Sequence, residues 1–165
     1  MVVVPFAYAP AAAAAAALAR LLPAALGEHL AVDLRAPVRY GEEDELLEHL
    51  AERGGALADV IALLFTLAAT PEDQNHGTVI AGVRDWLAAS HRQAELLVLV
   101  DEGPYAERMG GPAGPAQRLT ARRSAWEAFV AARGLTACVL DLAAETPTPA
   151  VIERVRAARW HPTPA

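Results

Sequence analysis

The chain has 165 residues, which is long enough for one domain with a sizeable core. Its hydrophobic fraction of 54% and charged fraction of 21% are typical of a folded globular domain, not of a disordered or membrane-spanning chain. The formal net charge of -6 argues against nucleic acid as a partner, because a phosphate-binding surface needs a basic stripe that the sequence lacks.

The first element is predicted within the uncharged run "MVVVPFAYAPAAAAAAALA". Pro5 and Pro10 interrupt this run, and no positive charge precedes it, so it does not match a signal peptide or a spanning helix. We predict a strand, a turn and a helix here, and no direct membrane insertion by this segment.

Five short apolar runs along the chain predict strands. The third, fourth and fifth are continuous and bounded by turns, as expected of parallel strands covered on both faces. The second is interrupted by Asp33, Arg35 and Arg39, which predicts an edge strand that could also run antiparallel. The runs are 2–8, 30–38, 58–69, 94–100 and 136–142.

Helical periodicity occupies the intervals between these runs. The first helix follows the alanine tract to about Leu26 and ends at Gly27. The last is predicted to begin with Thr148 as its cap and Pro149 in its first turn. Apolar residues three and four apart predict three more helices: Leu46, Leu47 and Leu50; Val79, Ile80, Val83, Trp86 and Leu87; and Leu119, Trp126, Phe129 and Val130.

The helix that follows Gly114 is rich in arginine on its predicted outer side. Arg118, Arg122, Arg123 and Glu127 occupy that side, and Arg123 and Glu127 have the spacing of an i,i+4 ion pair.

Alternating strands and helices predict one α/β domain over residues 1–165. The expected architecture is a three-layer, doubly wound domain with a mainly parallel five-stranded sheet and helices on both faces, flavodoxin-like or GTPase-like without nucleotide motifs. The closely trimmed ends suggest a domain excised from a longer chain. The loops at the C-terminal strand ends should cluster at one edge, where such folds hold ligands.

The first candidate site follows the third apolar run. Thr70, Glu72, Asp73 and His76 would lie at a strand end, with Asp73 and His76 as metal ligands or a general base. The structural interpretation is that Thr70 caps a helix, Pro71 takes its first position, and the two acids favour its positive end. The capping pattern favours this second interpretation.

The second candidate site follows the fourth run. Asp101 and Glu102 come directly after the strand, and Tyr105 lies in the loop 101–116 that they open. Loops of that length are often functional or mobile. The glycines of this loop match no phosphate-binding spacing, so binding by the loop and a plain surface loop both stay open.

Residue types exclude several reactions. All 14 basic residues are arginine, so a Schiff-base lysine and a P-loop lysine are impossible. Cys138 is the only cysteine and is predicted to be buried, and Ser90 and Ser124 lie in predicted helices outside any G-x-S-x-G motif. We therefore predict no catalytic residue, no dedicated metal ligand and no cofactor.

Residues 58–142 resemble the soluble C-terminal part of a family of uncharacterised bacterial membrane proteins. The resemblance depends on "VLVDE" and on the following "RL..RR..W" pattern. Those proteins are typically encoded beside a membrane protein with a GTPase domain. The chain also looks like a GTPase-type sheet without its motifs: alanines replace the phosphate loop, "AATPEDQ" replaces Asp-x-x-Gly, and "LVDEG" replaces Asn-Lys-x-Asp.

The resemblance and the excluded reactions together predict a non-catalytic protein-interaction or regulatory domain of a bacterial membrane-associated protein. Its partner would be a protein, such as the neighbouring GTPase or a membrane protein, and it would lie in the cytoplasm. The alternative is a small nucleotide- or divalent-metal-binding domain, or a hydrolase, with Glu72, Asp73, Asp101 and Glu102 at the strand edge. A self-associating domain is a third hypothesis, and the sequence leaves the oligomeric state open.

Overall fold

The computed structural model of the chain describes residues 2–3, 12–27, 60–67, 71, 76–89, 95–103, 114–142 and 146–163. Within them, strands and helices alternate along the chain. In chain order the elements are β1 (Val2–Val3), α1 (Ala12–Leu26), β2 (Val60–Thr66), α2 (His76–Ala89), β3 (Glu95–Asp101), α3 (Gly114–Ala131), β4 (Ala137–Leu140), α4 (Pro149–Ala157) and β5 (Arg159–Trp160).

The strands form one open sheet. β1, β2, β3 and β4 lie side by side in that order and run parallel. β2 pairs with β3 along its whole length, ending with Thr66 opposite Asp101. β5 runs antiparallel to the first half of β3, with Trp160 opposite Leu96. The prediction of an α/β fold with a mainly parallel sheet is confirmed.

The strands agree only in part with the predicted runs. Four of the five runs contain a strand, whereas the predicted edge strand at 30–38 lies outside the described residues. The sequence analysis missed β5, because two residues after a helix carry no period-2 pattern to recognise.

Alternate residues of β2 and β3 point to opposite faces of the sheet and enter two separate hydrophobic clusters. The first cluster takes side chains from α2 and α3, and the second takes them from α1 and α4. Strand residues of the first cluster are Ile61, Leu63, Phe65, Leu96, Val98 and Val100, and those of the second are Val60, Ala62, Leu64, Leu97, Leu99, Cys138 and Leu140. The predicted burial of Cys138 is confirmed.

The start of α2 differs from the prediction. Pro71 lies in a buried turn, and α2 begins at His76. The His76 ring packs against Phe65 of β2 and Trp126 of α3, with centroid distances of 4.8 and 5.5 Å. The first residue of α2 is therefore fixed by core packing, whereas Pro71 is not the first helical residue.

Arginine contacts hold α2 against α3. Arg84 donates to the carbonyl of Arg133 at 2.7 Å, and the Arg133 guanidinium lies 3.7 Å from the centroid of the Phe129 ring. A Cβ on Gly77 would come within 2.5 Å of Nη2 of Arg133, so the missing side chain lets the guanidinium cross the start of α2.

The predicted start of α4 is confirmed. Thr148 is its N-cap, with Oγ1 accepting from the Val151 amide at 3.3 Å, and Pro149 is the first helical residue. Arg156 of α4 donates from Nε to the carbonyl of Ala25 at 3.0 Å. This bond ties α4 to the last turn of α1, across the second cluster.

Candidate functional site at the C-terminal strand ends

Parallel pairing brings the C-terminal ends of β2, β3 and β4 to one edge of the sheet, which we call the C-terminal edge. Asp101 is the last residue of β3, and Glu102 follows it. The Glu102 amide donates to the carbonyl of Leu140 at 2.8 Å, so the β3–β4 pairing extends to this residue. Both acids that were predicted to follow β3 therefore lie at the edge where they were expected.

Asp101 joins the ends of three strands. Its side chain is buried, with 2% of the residue exposed. One oxygen, Oδ1, accepts from the amides of Gly103 at 3.0 Å and Leu142 at 3.3 Å, while its carbonyl accepts from the Leu67 amide at 3.0 Å. A carboxylate that accepts backbone amides forms charge-assisted hydrogen bonds, which are stronger than neutral ones. The contacts of Asp101 thus indicate a structural role, in which it holds together the segments that follow β2, β3 and β4.

Glu102 forms an ion pair with α3. Nε and Nη2 of Arg123 each lie 2.5 Å from one of its two carboxylate oxygens, in the parallel fork geometry that arginine favours. The Glu102 side chain is 10% exposed and that of Arg123 is 43% exposed. Arg123, which has the spacing of an ion pair with Glu127, pairs with Glu102 across the edge, and Glu127 is exposed.

His76 lies in the core and is 3% exposed. Its ring belongs to the aromatic group of Phe65 and Trp126, in which those two rings are 5.1 Å apart. Because strand side chains alternate, Asp101 follows Leu97 and Leu99 toward the second cluster, whereas His76 contacts the first. Asp101 and His76 therefore lie on opposite faces of the sheet.

The other predicted site residues lie outside the described residues. These are Thr70, Glu72, Asp73 and Tyr105, together with most of the loop 101–116. In the part of the chain that the structure describes, no three His, Cys, Asp or Glu side chains are grouped so that they could hold a metal ion.

Sequence reasoning missed Arg123 and Leu142 as contacts of the two acids. Arg123 lies three residues before Trp126, and this spacing puts both on neighbouring positions of α3. Trp126 faces the core, so the spacing could have indicated that Arg123 points toward the sheet. No sequence pattern near Leu142 identifies its amide as a partner of Asp101, because this hydrogen bond depends on the pairing of β3 with β4.

A third buried acid is paired at the opposite end of β3. Glu95 accepts from both Nε and Nη2 of Arg159 in β5, the latter at 2.5 Å. Nδ1 of His161 lies 3.3 Å from the same carboxylate. The hydrogen bond to Glu95 raises the pKa of Arg159 above its ordinary value, against a smaller lowering by burial. This pair fixes β5 to the sheet.

Comparison with known protein families, curated proteins and solved structures finds no match to this chain. None of the described helices combines the length and the apolar character that crossing a membrane requires. Any assignment of function therefore depends on the contacts that Asp101, Glu102 and their neighbours make.

Proposed function

We propose that the chain is a non-catalytic protein-interaction or regulatory domain whose partner contacts the C-terminal edge. One observation carries the proposal: the two acids at that edge are bonded to groups of the chain itself. Asp101 accepts from the amides of Gly103 and Leu142, and Glu102 is clamped by Arg123.

These contacts support an interaction surface over a reactive site. A metal ion or an attacking water at Oδ1 of Asp101 would have to compete with two backbone amides, at a residue that is 2% exposed. Leaving such buried donors unsatisfied costs about 1–3 kcal/mol each. A partner protein needs only the outer surface of the edge, and the internal bonds hold that surface in one conformation.

The doubly wound, three-layer arrangement of the flavodoxin or GTPase type is part of the proposal. It is supported by α1 and α4 contributing to one hydrophobic cluster while α2 and α3 contribute to the other. Such folds place binding surfaces at the carboxyl ends of their strands. The bacterial membrane-associated parent, the cytoplasmic location and the neighbouring GTPase as partner follow from the resemblance of residues 58–142, and they are proposed on that ground.

Site-directed cross-linking tests where the partner binds. Cys138 is the only cysteine of the chain and is 4% exposed, so an introduced surface cysteine would be the accessible thiol. Gln117 and Ala132 are both exposed and lie near the two ends of α3, about 22 Å apart at 1.5 Å per residue. Gln117→Cys puts a thiol-linked photo-cross-linker near the C-terminal edge, and Ala132→Cys is the matched control at the far end.

The expected result is a discrete cross-linked protein from a lysate of the source organism at position 117 and none at 132. A single partner cross-linked equally at both positions would contradict the location. Recovery of no partner at either position, together with nucleotide- or metal-dependent stabilisation of the chain, would favour the alternative of a small-molecule site built from Glu72, Asp73, Asp101 and Glu102.

A further inference from the structure

Arg118 and Arg122 of α3, like Arg20 of α1, differ from the six other described arginines. Arg118 is exposed and Arg122 is half-exposed, and neither makes an ion pair or a hydrogen bond with a residue that the structure describes. Most of the rest donate to a carboxylate or a carbonyl of the chain, and these are Arg84, Arg123, Arg133, Arg154, Arg156 and Arg159.

The positions of Arg118 and Arg122 add to their charge. Residues four apart lie on the same face of a helix, where two like charges destabilise it. The first turn of α3 contains no acid, so no carboxylate there offsets the charge of Arg118, which follows that turn directly. Among the described residues, this positive pair therefore has no counter-charge, and an anionic partner would neutralise it.

Arg123 fixes the orientation of this pair. Its fork on Glu102 ties α3 to the end of β3, and Arg122 is the preceding residue. Arg118 and Arg122 are about 6 Å apart along the axis at 1.5 Å per residue. That rise matches carboxylates four apart on a partner helix or two apart on an extended segment.

We propose that Arg118 and Arg122 form a docking surface for a short acidic segment of a partner protein. The inference rests on the proposed function and names the chemistry of the partner. Arginine binds carboxylates through two parallel hydrogen bonds, so two arginines at this spacing suit two carboxylates. Nucleic acid and anionic membranes are less suitable, because both need a larger basic surface than two arginines on a chain of net charge -6.

The probe is an alanine-based helical peptide with two glutamates four residues apart, and its matched control carries glutamines instead. Each is titrated into the isotope-labelled 165-residue chain at low salt, and amide shifts are followed by NMR. We expect the glutamate peptide to shift amides around Arg118 and Arg122, with binding that weakens as salt rises. Arg118→Gln/Arg122→Gln should weaken binding about tenfold, at about two- to fivefold for each exposed arginine.

Arg20→Gln is the control variant. Arg20 is exposed on α1, whose side chains enter the second cluster, and like the docking pair it makes no ion pair or hydrogen bond with a described residue. This variant should bind like the wild type. Equal weakening by Arg20→Gln, or equal binding of the glutamine peptide, would overturn the proposal, as would tighter binding of an oligonucleotide or of phosphatidylserine vesicles than of the glutamate peptide.

The cross-linking experiment separates the two proposals. If the partner caught at Gln117→Cys is still caught after Arg118→Gln/Arg122→Gln, the docking surface is wrong while the interaction function stands. If the peptide binds at these arginines but no partner is caught at position 117, the docking surface stands and the proposed function fails.

Discussion

Asp101→Ala should destabilise the chain strongly, because the carboxylate accepts hydrogen bonds from the segments that follow β3 and β4. Its removal leaves the buried amides of Gly103 and Leu142 without their acceptor. At about 1–3 kcal/mol for each of the two unsatisfied donors, the free energy of unfolding should fall by about 2–6 kcal/mol. Asp101→Asn keeps an oxygen at this position and loses only the charge, so it should cost about 1 kcal/mol.

Denaturant unfolding followed by circular dichroism measures both variants, and thermal melts give an independent check. A domain of this size shifts by about 2–4 °C for each kcal/mol, so the two variants should differ clearly. A loss below about 0.5 kcal/mol for Asp101→Ala, the level of an ordinary surface substitution, would refute the structural role. A higher melting temperature for Asp101→Asn would point to a strained, ligand-binding acid instead, because active sites often trade stability for function.

Three further predictions concern the ion pairs and the edge. In a double-mutant cycle of Glu102→Gln and Arg123→Gln, the coupling free energy should be about 1 kcal/mol, since Arg123 is 43% exposed and water screens the pair; a zero coupling would contradict the fork geometry. The pKa of Arg159 is raised in the folded chain, so the charged guanidinium stabilises the fold fully at any pH below its unfolded pKa, and this stabilisation is lost only as pH rises through its folded pKa. The difference in the free energy of unfolding between wild type and Arg159→Gln should therefore stay constant from about pH 6 to about pH 10. A difference that disappears within that window would show that the direction of the pKa shift is wrong. Guanine and adenine nucleotides, with and without Mg²⁺, should leave the thermal melt unchanged, whereas a ligand at a hundred times its dissociation constant would add about 2.7 kcal/mol.

The hydrophobic pattern of the sequence predicted the strands of the sheet well where both faces of a strand are buried. The continuous runs that contain β2 and β3 become strands buried on both faces, and the burial of Val60–Leu64 and Leu96–Val100 leaves little ambiguity. The cap of α4 was also predictable, because Thr148 and Pro149 act on their own helix. The α/β fold and its parallel sheet follow from such local signals.

Contacts between distant residues were not predictable in the same way. The spacing of Arg123 pointed to Glu127 four residues away, and the fork of Arg123 on the buried acid next to β3 was not foreseen. His76 was a candidate ligand, yet its ring lies between Phe65 and Trp126, which come from separate elements. Helical spacing predicts which residues are neighbours on one helix. It does not predict which side chain at a strand end will contact that helix.

The two acids at the C-terminal edge act on opposite faces of the sheet. Asp101 binds the Leu142 amide after β4 on the side of the second cluster, and Glu102 binds Arg123 of α3 on the side of the first. Together they fix the strand ends and α3 before any partner arrives. A surface fixed in advance loses little conformational entropy on binding, so a small number of contacts can give useful affinity. The Arg118 and Arg122 pair lies on the helix that Glu102 holds, and a weakened Glu102–Arg123 pair should therefore lower the affinity for an acidic partner without touching either docking arginine.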